Sequence, residues 1–345
     1  MKINKSMCVW ELSAFGAQHL RLSELPTPQP GPKQILVRMC AASLNYRDKV
    51  VIDGSYLKNL KFPFIPVSDF AGEVVAVGAE VTRFSIGSRV ASHYLTNWLD
   101  EESYGPSGER GPTLGAPLPG VLSDYVLLDE HSAVSLPDYL SYEEGATLPI
   151  AALTAWYALV ESGGLKTGES VLVQGTGGVS IFAIQIAKAL GARVIVLSSS
   201  DAKLHKVKEL GANDGINYET HPDWEQEVLR LTGGLGVNHI IEVTGGRNLK
   251  RSIAATATGA RIAVVGFLDG ADSSLNVIAI LQKRLRIHGI SVGHRTAFEA
   301  MLSTFERNRI HPVIDNVYQF SSVPAAFEHL DRGAFGKIVI AGANR

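Results

Sequence analysis

The stretch Ser170-Val171-Leu172-Val173-Gln174-Gly175-Thr176-Gly177-Gly178-Val179-Ser180-Ile181-Phe182-Ala183-Ile184-Gln185-Ile186 decides how this chain is read. An apolar run, Val171 to Val173, enters the turn Gly175 to Val179, after which Ile181, Ala183, Ile184, Ala187 and Leu190 recur at helical spacing. Glycine belongs at such a turn because a backbone without Cβ bends tightly and lets a pyrophosphate approach the amides that open the helix. Gly191-Ala192 then breaks the helix before a second apolar run, Val194 to Leu197, which completes a strand-helix-strand unit. The third glycine of the usual G-x-G-x-x-G pattern is Ser180 here, small enough to pack against the strand. A dinucleotide is the first ligand to expect.

Outward from this unit, strand and helix patterns alternate from Glu169 to Val292, which predicts an α/β doubly wound parallel sheet with helices on both faces. Upstream, short strand-like runs at Gln34 to Met39, Gly72 to Val77, Arg89 to Ala91 and Tyr125 to Leu128 predict a β-rich domain. The polar segment Trp98 to Pro119, with Asp100, Glu101, Glu102, Gly105, Gly108, Gly111 and Gly115, reads as a long surface loop, and Leu140 to Glu161 as helical. Downstream, a helix from Thr296 to about Asn308 precedes strands around Tyr318 and Lys337 to Ala341, a tail expected to rejoin the first domain.

The 345 residues exceed the usual single-domain size, so two domains are expected. With 32 basic against 34 acidic residues, a net charge of −2, the chain offers no general attraction to nucleic acid or anionic membrane. Its two cysteines, Cys8 and Cys40, sit among apolar neighbours and read as reduced core thiols. Met1 to Trp10 lacks a signal peptide's apolar core, and no stretch approaches a membrane span, so a cytoplasmic enzyme or binding protein is expected.

Together the residues resemble the medium-chain dehydrogenase/reductase superfamily over essentially the whole chain. The resemblance rests on Gly72-Glu73-Val74-Val75-Ala76-Val77-Gly78, Gly87-Ser88-Arg89-Val90, Thr154-Ala155-Trp156-Tyr157-Ala158-Leu159, the glycine turn and Gly336-Lys337-Ile338-Val339. It implies a GroES-like catalytic domain (1–150, completed by 297–345) around a Rossmann domain (151–296), with the active site between the two. It also implies hydride transfer with NAD(P)(H).

Zinc-dependent members of the superfamily hold their metal with residues this chain lacks. Where Cys-His-x-Asp would fall stands Asn45-Tyr46-Arg47-Asp48; where Gly-His-Glu would fall stands Val67-Ser68-Asp69; near the third ligand stands Ile150. None of Asn, Ser and Ile supplies a thiolate or imidazole, and two cysteines cannot make a four-cysteine structural site. No zinc is expected. The chain is similar instead to the zinc-independent quinone oxidoreductases and related enoyl reductases, through Ser43 to Asp48 and Gly54-Ser55-Tyr56. It is similar also to a bacterial group often labelled zinc-type alcohol dehydrogenase-like, a label its missing ligands contradict.

A preference for NADH normally shows as an acid at the end of the second strand, whereas Ser198-Ser199-Ser200 stands there, with Lys203 one helical turn on. An acid would repel a 2′-phosphate and serine hydroxyls can donate to one, so NADPH rather than NADH is expected. Tyr218 matches a tyrosine near the adenosine phosphate of related NADPH-dependent reductases. By position in the family, Gly175, Thr176, Gly177, Gly178 and Val179 face the pyrophosphate, and Val243, Thr244 and Gly245 the adenosine. Val265, Gly266, Phe267, Ser291, Val292 and Gly293, with Asn45 and Thr154, lie toward the nicotinamide. Val243 and Val265 read as core strand residues whatever the ligand, and Asn45 reads equally as a turn residue.

The function this implies is a metal-free NADPH-dependent oxidoreductase passing hydride to a quinone or an α,β-unsaturated carbonyl. Tyr46 is the expected proton donor, with Tyr56 or Asp69 assisting; alternatively Tyr46 only walls the site and Arg47 with Asp48 forms a surface ion pair. Other readings are an alcohol or aldehyde oxidoreductase and a low-turnover NADPH-binding sensor. The partner is a small-molecule substrate, with no nucleic acid and no membrane. A homodimer is expected through the apolar region Leu275 to Ile290, which reads equally as ordinary core.

Overall fold

The computed structural model describes residues 3–103 and 111–343, so Gly105 and Gly108 of the polar loop lie outside the described residues. The chain opens with β1 (Ser6–Leu12), β2 (Leu20–Pro26), β3 (Gln34–Ser43), α1 (Tyr46–Ile52), β4 (Asp69–Val77), β5 (Arg89–Ser92), β6 (Tyr125–Asp129), β7 (Ala133–Ser135) and α2 (Tyr142–Ala146). Next, α3 (Leu153–Trp156) lies between two wide i→i+5 turns, Leu148–Ala152 and Tyr157–Glu161. An alternating region follows: β8 (Ser170–Gln174), α4 (Gly178–Ala189), β9 (Arg193–Ser198), α5 (Asp201–Glu209), β10 (Asp214–Asn217) and α6 (Trp224–Leu231). It continues with β11 (Val237–Glu242), α7 (Asn248–Ala254), β12 (Thr256–Val264), α8 (Val277–Lys283) and β13 (Arg286–Gly289). The chain finishes with α9 (Arg295–Asn308), β14 (Ile314–Tyr318), α10 (Val323–Arg332) and β15 (Lys337–Ala341).

These elements form two compact units, one of Met1–Leu153 with Gly293–Arg345 and one of Thr154–Val292. In the first unit a sheet runs in the order β14-β15-β3-β4-β5-β7, with β6 also paired to β3. β15 lies antiparallel to β3, Ile340 opposite Ala42, so the C-terminal tail does rejoin the first domain. Ile35, Val37 and Met39 on one face of β3 join Phe70, Val74, Val90 and Ile338, while Leu36 on the other face packs with Met7 and Val9. Both faces are covered, which is why β3 reads as a nearly unbroken apolar run.

The second unit carries six parallel strands in the order β10-β9-β8-β11-β12-β13. The order reverses between β8 and β11, and ligands of such sheets bind outside the C-terminal ends of the strands at that point. Val171, Leu172, Val173, Val194, Ile195 and Val196 are buried, as strands sandwiched between helices require. The fold is thus a GroES-like domain with a Rossmann-like parallel-sheet domain. No helix among the described residues is long and apolar enough to cross a membrane.

Three expectations are corrected. The loop at 98–119 is not a surface loop throughout: Thr113, Leu114, Gly115 and Ala116 are buried, because Arg47 supplies donors to carbonyls that water would otherwise satisfy. Cys8 and Cys40 are free but only half-buried rather than core thiols, each lying on a sheet strand near a polar neighbour. Val243 and Val265 stand one residue beyond β11 and β12 and are half-buried, not strand core.

Candidate active site

In the second unit, β8 ends at Gln174, Gly175 takes φ +75° in the left-handed region, and α4 begins at Gly178. A Cβ placed on Gly177 would meet nothing within 4 Å, so its missing side chain leaves open space in front of the first turn of a 12-residue helix. Free amides and the positive end of the helix dipole at such a terminus suit a phosphate. Ser180, in place of the third glycine, donates from Oγ to the Gln174 carbonyl at 2.7 Å and ties helix to strand. The residues present fit a dinucleotide's pyrophosphate.

The second strand ends in the three serines. Ser198 is buried and Ser199 exposed, while Ser200 caps α5 by accepting from the Lys203 amide at 3.3 Å. Asp201 accepts from Asn217 Nδ2 at 2.8 Å, and Tyr218, on the adjoining β10 turn, is exposed. The Tyr218 amide bonds the Ser198 carbonyl at 3.1 Å, so the structure brings these candidates together.

A buried carboxylate that the sequence reading missed organises the β11 end. Glu242 accepts from the amides of Thr244 and Gly245, each at 3.0 Å, from Gln174 Nε2 at 2.8 Å, and from Asn248 Nδ2 and Ser252 Oγ. Gln174 Oε1 in turn accepts from the Val243 amide and Thr244 Oγ1. A Cβ on Gly266 would stand 2.4 Å from the Val243 carbonyl, a close approach only glycine permits, so Val243, Thr244, Gly245, Gly266 and Phe267 gather beyond β11 and β12. Ser291 and Val292 follow β13, and Val292 holds φ +63°. A β-branched residue there is strained, as residues at functional sites often are. Thr154 is buried in α3, between the two wide turns.

In the first unit the positions compared above with zinc ligands form a different device. Asn45 precedes α1; its amide N–H donates to Asp48 Oδ2 at 2.8 Å and its Nδ2 to Asp69 Oδ2 at 2.9 Å. Its Oδ1 accepts from Lys337 Nζ at 2.6 Å, and Lys337 also donates to the Leu44 carbonyl at 2.6 Å. Asp69 takes a second donor from the Ile150 amide at 3.1 Å, so the third ligand position contributes a backbone N–H. Ser68 Oγ donates to Asp48 Oδ1 and accepts from Arg47.

Asp48, Asp69 and Lys337 are fully buried. Burial pushes the Asp69 carboxyl up to about 7, against the pull of Lys337 and the Asn45 hydrogen bond. Burial likewise raises Asp48 and lowers Lys337, whose two neighbouring acids hold it up. A lysine ammonium sits on Asn45 Oδ1, and no trio of His, Cys, Asp or Glu that could hold a metal occurs among the described residues. This donor set does not fit a tetrahedral zinc.

Arg47 and Asp48 do not form a surface ion pair. Asp48 is committed to Asn45 and Ser68, while the Arg47 guanidinium lies 5.0 Å from the Tyr94 ring centre and 5.7 Å from that of Tyr56 and bonds the 113–116 carbonyls and hydroxyl. Tyr46, on the first turn of α1, and Tyr56 are both exposed. His93, also unforeseen, is buried; burial pulls its imidazole down to about 4, and neutral Nε2–H donates to the Gly293 carbonyl at 3.1 Å. Val67, beside Ser68, holds φ +73°. The signals for Lys337 and Glu242 were in the sequence: a charge opening the strand Ile338-Val339-Ile340 and one closing Ile240-Ile241.

Residues 31–138 match the alcohol dehydrogenase GroES-like domain and residues 178–307 the zinc-binding dehydrogenase domain. A zinc-type alcohol dehydrogenase-like protein of Schizosaccharomyces pombe is 40% identical over 338 residues, covering 96% of each chain. Human quinone oxidoreductase is 27% identical over 98% of each. A crystal structure from Sinorhizobium meliloti, provisionally described as an alcohol dehydrogenase, superposes with a TM-score of 0.94 at 47% identity, covering 99% of this chain and 100% of that one. The chain belongs to the medium-chain dehydrogenase/reductase superfamily, whose members bind NAD(P)(H), and is one of its oxidoreductases.

Proposed function

We propose that this oxidoreductase is metal-free and NADPH-dependent and reduces a quinone or an α,β-unsaturated carbonyl. The observation that carries the reading is the Lys337 ammonium fixed on Asn45 where zinc ligands stand in other members of the superfamily. An electron-poor acceptor needs no Lewis acid, so donors on the protein suffice to stabilise the oxygen on which charge develops. When bound, the reduced nicotinamide supplies hydride.

The chain's own residues hold and orient. Gly175 to Val179 are assigned to the pyrophosphate, Ser198 to Ser200 with Lys203 and Tyr218 to a 2′-phosphate, and Val243 to Gly245 to the adenosine. Val265 to Phe267 and Ser291 to Gly293, with Asn45 and Thr154, are assigned to the nicotinamide end. The lack of an acid beyond Ser198, and the engagement of Asp201 by Asn217, support NADPH over NADH. Exposed Tyr46 is assigned as proton donor; Tyr56 lies against Arg47, and buried Asp69 assists through Asn45.

Steady-state NADPH oxidation against a panel of quinones and enones tests the reading, and turnover on either class supports it. The description of the Sinorhizobium relative favours a second reading, alcohol or aldehyde oxidation, which turnover on alcohols alone would support. Cofactor binding without turnover on any acceptor would favour a sensor. The substrate is a small molecule on each catalytic reading. A cytoplasmic homodimer is proposed as well: β13 is a sheet edge, and Val277, Ile278 and Leu281 on α8 present exposed apolar side chains beside it.

A further inference from the structure

Lys337 is drawn into no step above, yet it is a charged group fully buried in its unit. A fully buried ammonium is retained only where its protons meet acceptors, and Lys337 donates to the Leu44 carbonyl and to Asn45 Oδ1, each at 2.6 Å. Among the described residues no carboxylate forms an ion pair with it, although Asp69 and Asp48 act on it at longer range; the hydrogen-bonded path to Asp69 runs through Asn45, whose Nδ2 donates to Asp69 Oδ2 at 2.9 Å. The Asn45 amide is therefore gripped at both ends, cation on the oxygen and anion on one N–H. This fixes which way the amide faces. Its second N–H has no protein acceptor among the described residues.

Resting on the reductase reading, we propose that Lys337 is the built-in cation of this site, a positioning residue that aims and polarises Asn45 so that its second Nδ2–H donates to the carbonyl oxygen of the hydride acceptor. As the acceptor takes hydride at carbon, the C=C pair of an enone, or the ring electrons of a quinone, shift to that oxygen. The resulting enolate is then protonated by Tyr46 or by water, and where the acceptor is a quinone the dione so formed tautomerises to the hydroquinone. Asn45 only donates a hydrogen bond and Lys337 only withdraws charge from the amide; neither is altered. A donor whose far end is held by a charge is stronger than an isolated amide, and the buried setting magnifies the effect. Preorganised donors of this kind act where charge grows, not on the ground state. The inference moves Asn45 from the cofactor to the reacting oxygen.

Asn45→Ala, Lys337→Met and the double variant test it, with kcat and KM for the best acceptor, NADPH affinity by fluorescence, and melting temperature measured for each. Asn45→Ala is expected to lower kcat about 100-fold and Lys337→Met about 10-fold. NADPH affinity should stay within about threefold, and the double variant should be no worse than Asn45→Ala, because Lys337 acts only through Asn45. Multiplying losses, or an unchanged kcat in either single variant, would overturn the inference. Weakened NADPH binding at unchanged kcat would overturn it too, by placing Asn45 on the cofactor. If Lys337→Met does not fold, Lys337→Gln replaces it, keeping an N–H donor without the charge. If neither folds, Asn45→Ala alone decides by the same split. A wild type silent on every acceptor contradicts the reductase reading and this inference with it, whereas an active wild type indifferent to the variants contradicts the inference alone.

Discussion

Lys337 Nζ stands 2.6 Å from Asn45 Oδ1, joining residues 292 positions apart in the chain. The contact depends on β15 returning to pair with β3, so the C-terminal tail completes the polar cluster rather than only widening a sheet. The cluster's charges are internal and buried, which makes its properties depend on pH.

Asp69 is the group to follow. Its folded-state carboxyl lies up to about 7, above the ordinary value, so protonation favours the fold. That contribution is complete below about pH 4 and is lost as pH rises through about 7. Asp48, also raised by burial, acts in the same sense, while Lys337, lowered by burial, acts in the opposite sense and favours the fold as pH rises. Asp69→Asn keeps an acceptor for Asn45 and Ile150 but removes the charge. Urea unfolding at about pH 5 and about pH 8 should show a smaller loss of stability in the variant than in wild type. Equal losses would show that Asp69 is not the titrating group.

The glycine turn separates folding from binding. Gly177 has φ −78° and open space at its Cβ position, so Gly177→Ala should melt within a degree or two of wild type. The added methyl enters the space assigned to the pyrophosphate, and NADPH binding should weaken about tenfold or more. A variant that melts early, or binds normally, contradicts the assignment.

How much was legible in advance follows burial. The centre of the Rossmann-like unit is legible because its strands are apolar on both faces and its helices carry their own period: α4 runs Gly178–Ala189 where the pattern places Val179 to Leu190, whereas α8 lies unread within the apolar region Leu275 to Ile290. α1 and α10 were not read, the one short and the other starting at Val323-Pro324 after a run of strands. The loop at 113–116 looked solvated because polar and glycine-rich composition says nothing of a distant Arg47. Asn45 and Asp69 were picked by position. Lys337 was seen only as part of a motif, since its meaning lies in a partner 292 residues away.

Cofactor preference rests on an absence of charge that can be reversed. Ser199 is exposed at the end of β9, and Ser199→Asp would face a 2′-phosphate with a carboxylate. The ratio of NADPH to NADH efficiency should fall about tenfold or more, with melting unchanged. An unchanged ratio would move the 2′-phosphate away from the three serines.

The central claim is hydride transfer without a metal, and NADPH oxidation by chelator-treated, metal-free protein against quinones and enones tests it most directly. Turnover on one of these classes should equal that of untreated protein and should not rise when zinc is added. Turnover abolished by chelation and restored by zinc would contradict it.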